Sequence, residues 1–254
     1  MKNKSSFSTM RLSRFYFRDI DSQTSSVELS ADLCHYLNRV LRAKTGQKLV
    51  LFNGKDGKEY HCQIAHIEAK SITVNIEQIT TAADDSPIDI TIAQSLTKGD
   101  KFELIIQKAT ELGVSTIIPV ISECCDAKIN DKSITHKLER WRKIAVAAAE
   151  QSGRVTLLDI KTPISLTDFV NDYRGLGITL SPHAQHNLHQ LKQQHPECRS
   201  FSILIGPEGG LSDKEIQQST DHGFVPITLG RRILRTETAS LAISSALQTL
   251  WGDF

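Results

Sequence analysis

Residues 201–222 read FSILIGPEGGLSDKEIQQSTDH, and three local signals follow one another in them. The apolar run 201–205 has the length of a buried strand. Gly206, Gly209 and Gly210 then permit backbone angles and close approaches that a Cβ blocks. Ser212, with Glu215 three positions on, opens a helix by the capping-box pattern, in which each side chain satisfies the other's backbone N–H. A strand running into a glycine loop and a capped helix is a building unit of a parallel α/β sheet, and such sheets bind ligands beyond the carboxyl ends of their strands. Glycines alone would also suit a plain tight turn. Glu208 in the same loop adds a carboxylate that can hold a ligand or accept a proton.

The pattern recurs on both sides of this stretch. LGRRILRTETA at 229–239 packs a strand end, a glycine turn, three arginines and a helix start together. Thr236 reads as the helix N-cap, and Glu237 lies where the helix dipole favours an acid. Three arginines so close together suit an exposed turn better than a core. Strand-like runs at 88–94, 115–121, 155–160, 177–180 and 224–229 alternate with helical segments near 101–112, 137–151, 166–173, 186–194, 213–222 and 237–250. Asp100 and Glu103 have capping-box spacing, and Gly113 and Gly223 stand where helix ends favour glycine. The alternation predicts an α/β domain with a parallel sheet over residues 87–254.

Residues 81–87, TAADDSP, are small and polar, end in proline, and read as a linker. Before them the rhythm is of short strands at 14–17, 48–52, 59–67 and 71–79, the last alternating Ile72, Val74 and Ile76. Asn53-Gly54 and Asp56-Gly57 supply tight-turn chemistry. One helix, capped by Ser30, is expected over 31–41 with Leu33, Leu37, Val40 and Leu41 on one face. Residues 1–80 therefore read as a small β-barrel with a helix.

The chain of 254 residues, 39% hydrophobic and 23% charged, has ordinary globular proportions. Its net charge of +1 hides an asymmetry: residues 1–80 hold twelve Lys/Arg against eight Asp/Glu, a balance of +4, and the remainder stands at −3. Lys2, Lys4, Arg11, Arg14 and Arg18 all precede the first acid, Asp19, and such an arm can meet phosphates or stay a solvated tail. Cys34, Cys62, Cys124, Cys125 and Cys198 form no CxxC pair and no zinc spacing, so they read as small packing residues in a reducing compartment. No apolar run approaches the ~20 residues of a membrane span, and the polar start MKNKSSFSTM lacks the apolar stretch of a secretion signal. A cytoplasmic location is expected. His183, His186 and His189 recur at three-residue spacing without an acid or cysteine beside them and read as solvated rather than metal-binding. Lys101, Glu103, Lys108 and Glu111 read as the wet face of a helix, and Trp141 with Ile144 and Val146 as core or dimer contact.

Together the segments 201–212 and 229–239 resemble the terminal half of the SPOUT methyltransferase domain, and the match to the RsmE family is specific. The resemblance extends to LTKGDKFELIIQKATELGV at 96–114, AAEQSGR at 148–154, RFYF at 14–17 and HYLNRVLRAKTGQ at 35–47, so it covers nearly the whole chain. It implies a C-terminal SPOUT α/β domain tied in a deep trefoil knot and an N-terminal PUA-like β-barrel that binds RNA. It implies a homodimer that binds S-adenosylmethionine among the knot loops and methylates N3 of a uridine in 16S ribosomal RNA of the small subunit.

By the same resemblance Leu180, Ile205, Gly206, Gly210, Leu229, Gly230, Ile233 and Leu234 wrap the cofactor, and no metal is required. Arg235 is the candidate for holding the negative charge of the deprotonated uracil ring, and Glu208 or Glu237 for taking its proton. Arg11, Arg14, Arg18, Arg39 and Arg42 are the candidate RNA contacts of the small domain, with Lys98 and Arg154 on the larger one. Three alternatives stand beside this reading: a non-catalytic RNA-binding dimer, a SPOUT enzyme acting on a different nucleotide, and a Rossmann-type nucleotide enzyme. The intact glycine and arginine segments count against the first. A Rossmann domain would show GxGxxG after its first strand, which this chain lacks.

Overall fold

The computed structural model describes residues 12–82, 86–125 and 131–254, which divide into two compact units between residues 83 and 84. The first contains β1 (Arg14–Tyr16), β2 (Ser26–Glu28), α1 (Ala31–Arg39), β3 (Lys48–Phe52), β4 (Lys58–Ile67) and β5 (Ile72–Thr81) in one sheet of order β1-β3-β4-β5-β2, parallel between β1 and β3 and otherwise antiparallel. The alternation in β5 does its expected work, with Ile72 and Val74 buried beside Leu37, Leu49, Leu51 and Tyr60. Asn53 builds the β3–β4 turn: its carbonyl accepts the N–H groups of Lys55 (2.9 Å) and Asp56 (3.1 Å), and its amide donates to the Ile20 carbonyl (3.0 Å).

α1 starts where Ser30 caps it but ends at Arg39, two residues before the expected end. Arg42 takes a positive φ of 49°, so the chain leaves the helix axis, and Val40 and Leu41 stand exposed instead of completing the apolar face. Leu37 is the residue of that face that is fully buried.

The second unit runs β6 (Asp89–Ser95), α2 (Lys101–Glu111), β7 (Thr116–Ile121), α3 (Asp131–Ser152), β8 (Asp159–Ile160), β9 (Ile164–Ser165), α4 (Leu166–Asn171), β10 (Leu176–Leu180), β11 (His186–Asn187), α5 (Leu188–Gln194), β12 (Ser200–Ile205), α6 (Asp213–Asp221), β13 (Val225–Thr228) and α7 (Thr236–Trp251). Its eight strands pair in parallel in the order β11-β13-β10-β12-β6-β7-β8, with β9 beside β7. Side chains at alternate positions face opposite sides of the sheet. Ile90, Ile92 and Ile203 join Phe102, Trp141 and Leu247 from α2, α3 and α7 in one core, and Ala93, Val120 and Leu204 join Phe169 and Phe224 in the other. Trp141 stacks on Phe102 with ring centroids 4.4 Å apart, which makes it core. Each such fully buried side chain contributes on the order of 1.5–3 kcal/mol.

Several expected details fall differently. The strand expected over 155–160 is a two-residue pairing, because the ladder to β7 begins with the Asp159 N–H on the Ser115 carbonyl (2.9 Å) while Val155 and Leu158 turn into the core without one. Asp100 makes no side-chain cap: its φ and ψ of −87° and 3° are outside the extended region that a capping residue adopts, and Glu103 pairs instead with Arg140 at 2.7 Å. Thr236 is the first helical residue of α7, not its cap. The extended residue before the helix is Arg235, and the Thr236 hydroxyl donates to the Gly206 carbonyl at 2.7 Å.

Candidate functional site

β13, β10 and β12 are neighbours in the sheet, and all three point their carboxyl ends the same way. The loops that follow them, at 181–183, 206–212 and 229–235, enclose a cavity of about 680 Å³, within the range of pockets that take a small molecule.

The loop after β12 is closed on itself. A Cβ on Gly206 would lie 2.9 Å from the backbone of Gly210 and Leu211, so glycine is required there. Gly210 has a φ of +76° and nothing within 4 Å of where its Cβ would be, so its open side belongs to the cavity. The loop ends in the capping box read from the sequence: the Ser212 hydroxyl accepts the Glu215 N–H (3.2 Å), and Glu215 Oε2 accepts the Ser212 N–H (2.9 Å). The other oxygen of Glu215, which is buried, accepts the Glu123 N–H (2.8 Å) and ties the turn after β7 to α6.

Glu208 lines the cavity. Its Oε1 accepts the Lys101 ammonium at 2.7 Å and, more weakly, the Lys98 N–H at 3.4 Å. Partial burial pushes this carboxyl up, but the Lys101 hydrogen bond and charge, with the backbone N–H groups of Glu208 and Lys98, outweigh it and hold the group below its ordinary value. Lys101 is therefore a wall of the cavity and not part of a wet helix face. Lys108 and Glu111, from the same expected face, pair with each other at 2.8 Å.

Of the cofactor candidates, Leu180, Ile205, Gly206, Gly210, Leu229, Ile233 and Leu234 line this cavity, as do Glu208 and Arg235. Gly230 and Glu237 stand outside the lining. Gly230 serves the turn with a φ of +113°. Glu237 is half-buried in the first turn of α7, with Oε2 lacking a hydrogen-bond partner. Sequence reading missed Ser181, Pro182 and His183 in the lining. The proline just after a strand was the available signal.

Two RNA-contact candidates are corrected. The Arg154 guanidinium is buried and donates to the carbonyls of Thr110 (3.1 Å) and Val114 (2.8 Å), so it fastens the end of α2 rather than facing a ligand. Arg14 pairs with Glu59 and lies over the Phe52 ring, with its side chain 10% exposed. Arg18, Arg39 and Arg42 are exposed in the first unit and Lys98 in the second, while Arg11 lies outside the described residues. Cys34 and Cys62 are buried, and burial pushes the Cys62 thiol up to about 12, which suits packing. Cys124 departs from that reading: it is exposed, and a Cβ on Gly209 would approach its own Cβ to 3.2 Å. Among the described residues there is no cluster of His, Cys, Asp and Glu that could hold a metal ion, and no helix long and apolar enough to cross a membrane.

The model of an RNA methyltransferase domain matches residues 84–248, and that of an RNA methyltransferase PUA domain matches residues 29–77. The chain is 34% identical over 245 residues to ribosomal RNA small subunit methyltransferase E of Buchnera aphidicola from Schizaphis graminum, covering 96% of this chain and 98% of that one. A crystal structure of ribosomal RNA small subunit methyltransferase E from Neisseria gonorrhoeae, bound to S-adenosylmethionine, superposes with a TM-score of 0.88 at 36% identity, over 96% of this chain and all of that one. A methyltransferase structure from Legionella pneumophila, also with the bound cofactor, superposes with a TM-score of 0.89 at 35% identity over the same shares.

Proposed function

Since the chain belongs to the ribosomal RNA small subunit methyltransferase E family, we propose that it transfers a methyl group from S-adenosylmethionine to N3 of a uridine in 16S ribosomal RNA, working as a homodimer in the cytoplasm. The observation that carries the reading is the gathering of seven of the eight cofactor candidates and Arg235 around one cavity at three adjoining strand ends. The cavity suits the cofactor, with apolar walls at Ile205, Leu229 and Leu234 and open space over Gly210. When bound, S-adenosylmethionine supplies an electrophilic methyl group on a sulfonium.

The work left to this chain is positioning and charge. Uridine N3 must lose a proton before it attacks, and the resulting anion spreads over the two oxygens flanking it. Arg235 supplies a planar, permanently charged fork that matches such a pair of oxygens. Its place at the start of α7 adds the helix's positive end to the same region. Glu208, held ionised by Lys101, is in acceptor form at neutral pH. A depressed pKa makes it a weak base, so we assign its main role to fixing the loop as an anion. Arg18, Arg39 and Arg42 are assigned to phosphates on the first unit, and Lys98 on the second. We assign the deep knot to the return of the chain after β13. That strand lies outside β10, yet α7 packs back on α2, β12 and β6, which carries residues 229–235 past the 206–212 loop.

The test is to incubate the purified protein with labelled S-adenosylmethionine and small ribosomal subunits lacking the modification, then digest the 16S RNA and identify the methylated nucleoside by mass spectrometry. 3-Methyluridine at a single position is expected. A methyl group on ribose or on another base sinks the N3 assignment. Sedimentation of the free protein as a monomer would remove the dimer.

A further inference from the structure

Gln94, in the sixth position of β6, is completely buried in the core of the second unit and does not line the cavity. Its amide nitrogen donates to the Thr236 hydroxyl at 2.9 Å and the Ser95 carbonyl at 3.0 Å, with the Gly206 carbonyl at 3.4 Å. Its carbonyl oxygen accepts the Ser240 hydroxyl at 2.5 Å. The Thr236 hydroxyl, having accepted from Gln94, donates onward to the same Gly206 carbonyl at 2.7 Å. A buried polar network whose members are all satisfied fixes one arrangement, because any shift strands a group that water cannot reach.

The network joins two things that are remote in sequence. Gly206 begins the loop that cradles the cofactor side of the cavity, and Thr236 follows Arg235 directly. The geometry points to Gln94 as a positioning residue: through Thr236 it sets the height of Arg235 against the Gly206 loop, and so the alignment of the acceptor with the methyl donor. This rests on the methyl-transfer reading above. The observation behind it is independent of that reading, since a polar side chain on the face of β6 that also carries Ile90 and Ile92 is costly to bury unless its bonds do something an apolar residue cannot.

Four variants separate positioning from simple packing. Gln94→Met keeps the length of the side chain and removes the bonds; Thr236→Val keeps the shape and removes the hydroxyl; Thr236→Ser keeps the hydroxyl; Ser240→Ala removes the outermost bond. Each is assayed for cooperative melting, for S-adenosylmethionine affinity by calorimetry, and for kcat and KM with small subunits. We expect Gln94→Met and Thr236→Val to lose about 10- to 100-fold in kcat, as misalignments of an ångström or less do. KM and cofactor affinity should stay within about threefold, and Thr236→Ser should restore kcat to within about threefold of the wild type. The double variant Gln94→Met with Arg235→Ala should be no slower than Arg235→Ala alone, because a residue acting through another adds nothing once that other is gone.

Unchanged kcat in Gln94→Met and Thr236→Val, or losses that multiply in the double variant, overturn the proposal. If Gln94→Met fails to fold, Thr236→Val and Ser240→Ala against Arg235→Ala read the same coupling. A wild type that methylates another atom defeats the N3 reading and leaves these ratios standing, whereas a wild type that transfers no methyl group defeats both.

Discussion

The two glycine turns that face each other across the cavity look alike in sequence and are held in different ways. The loop at 206–212 is tied at every step: Gly206 touches its own far end, Glu208 is bonded to Lys101 and Lys98, and Ser212 and Glu215 cap each other. In the loop at 229–235 the side-chain tie among the described residues is the Thr228 hydroxyl on the Gly230 carbonyl at 2.9 Å. Arg231, Arg232 and Arg235 are exposed, and Ile233 is 81% exposed. One wall of the site is held by its own side-chain bonds, and the other stands largely in solvent until Thr236 anchors its end. The stiff wall can set where a ligand sits, and the loose wall can gain order from the ligand itself.

The strongest way to break this contrast is one methyl group on each side. Gly206→Ala places a Cβ 2.9 Å from backbone atoms that have nowhere to go, and we expect a stability loss of about 1–3 kcal/mol together with loss of measurable S-adenosylmethionine binding. Gly230→Ala meets nothing within 4 Å and suffers from its φ of +113° alone, so it should cost on the order of 1–2 kcal/mol and still bind the cofactor. Thermal melting and calorimetry decide the matter. Equal effects of the two substitutions on binding would mean that both walls are equally tight.

Arg235→Ala tests the loose wall where it carries charge. The side chain is exposed and Arg235 caps α7 without a side-chain bond, so melting should change by less than about 0.5 kcal/mol. The rate of methyl transfer should fall about 10²- to 10³-fold, as when an electrostatic stabiliser is removed. An Arg235→Lys variant that recovers full activity would argue against a forked, two-point contact.

What the sequence made legible follows the range of the interactions. The α/β rhythm, the glycine loop and the Ser212–Glu215 box are local: each depends on neighbours within a few positions, and the structure keeps them. The misreadings concern side chains whose partners are far along the chain. Lys101 meets Glu208 from 107 positions away, and Arg154 meets Thr110 from 44. Lys101 has an ordinary local reading as part of a wet helix face, and the family resemblance makes Arg154 an RNA contact; the distant partner overrides both. Thr236 shows the competition most directly. It has the right type and place for an N-cap, but its hydroxyl bonds to Gly206 and the helix begins one residue earlier than that role would require.

Lys101→Met loosens the stiff wall by charge instead of shape. In the wild type Glu208 is held below its ordinary value. The contribution of its ionised form is thus complete above the unfolded value of roughly 4.3 and is lost as pH falls through the lower folded value. Without Lys101, burial becomes the leading influence and the pKa moves up, so the loss begins at a higher pH. We expect S-adenosylmethionine affinity to fall about 3- to 10-fold at neutral pH and to weaken further as the pH is lowered, beginning at a higher pH than in the wild type. A variant whose affinity follows the wild type at every pH would show that Glu208 does not hold the loop as an anion.

The smallest effect is expected at Ile233, and it is the sharpest probe of the loose wall. A side chain that is 81% exposed contributes little to folding, so Ile233→Ser should leave melting within about 0.5 kcal/mol of the wild type. The same side chain lines the cavity, and if the wall closes over a bound cofactor, the apolar surface it loses to solvent is gained at that moment. Covering most of one isoleucine corresponds to roughly 1–2 kcal/mol, so affinity should drop about 5- to 20-fold, through faster release more than slower capture. The heat capacity change of binding should become less negative with it, since burial of apolar surface is what makes it negative. Affinity and heat capacity both unmoved by Ile233→Ser would mean that residues 229–235 stay open around the ligand, and the difference between the two walls would then persist in the complex.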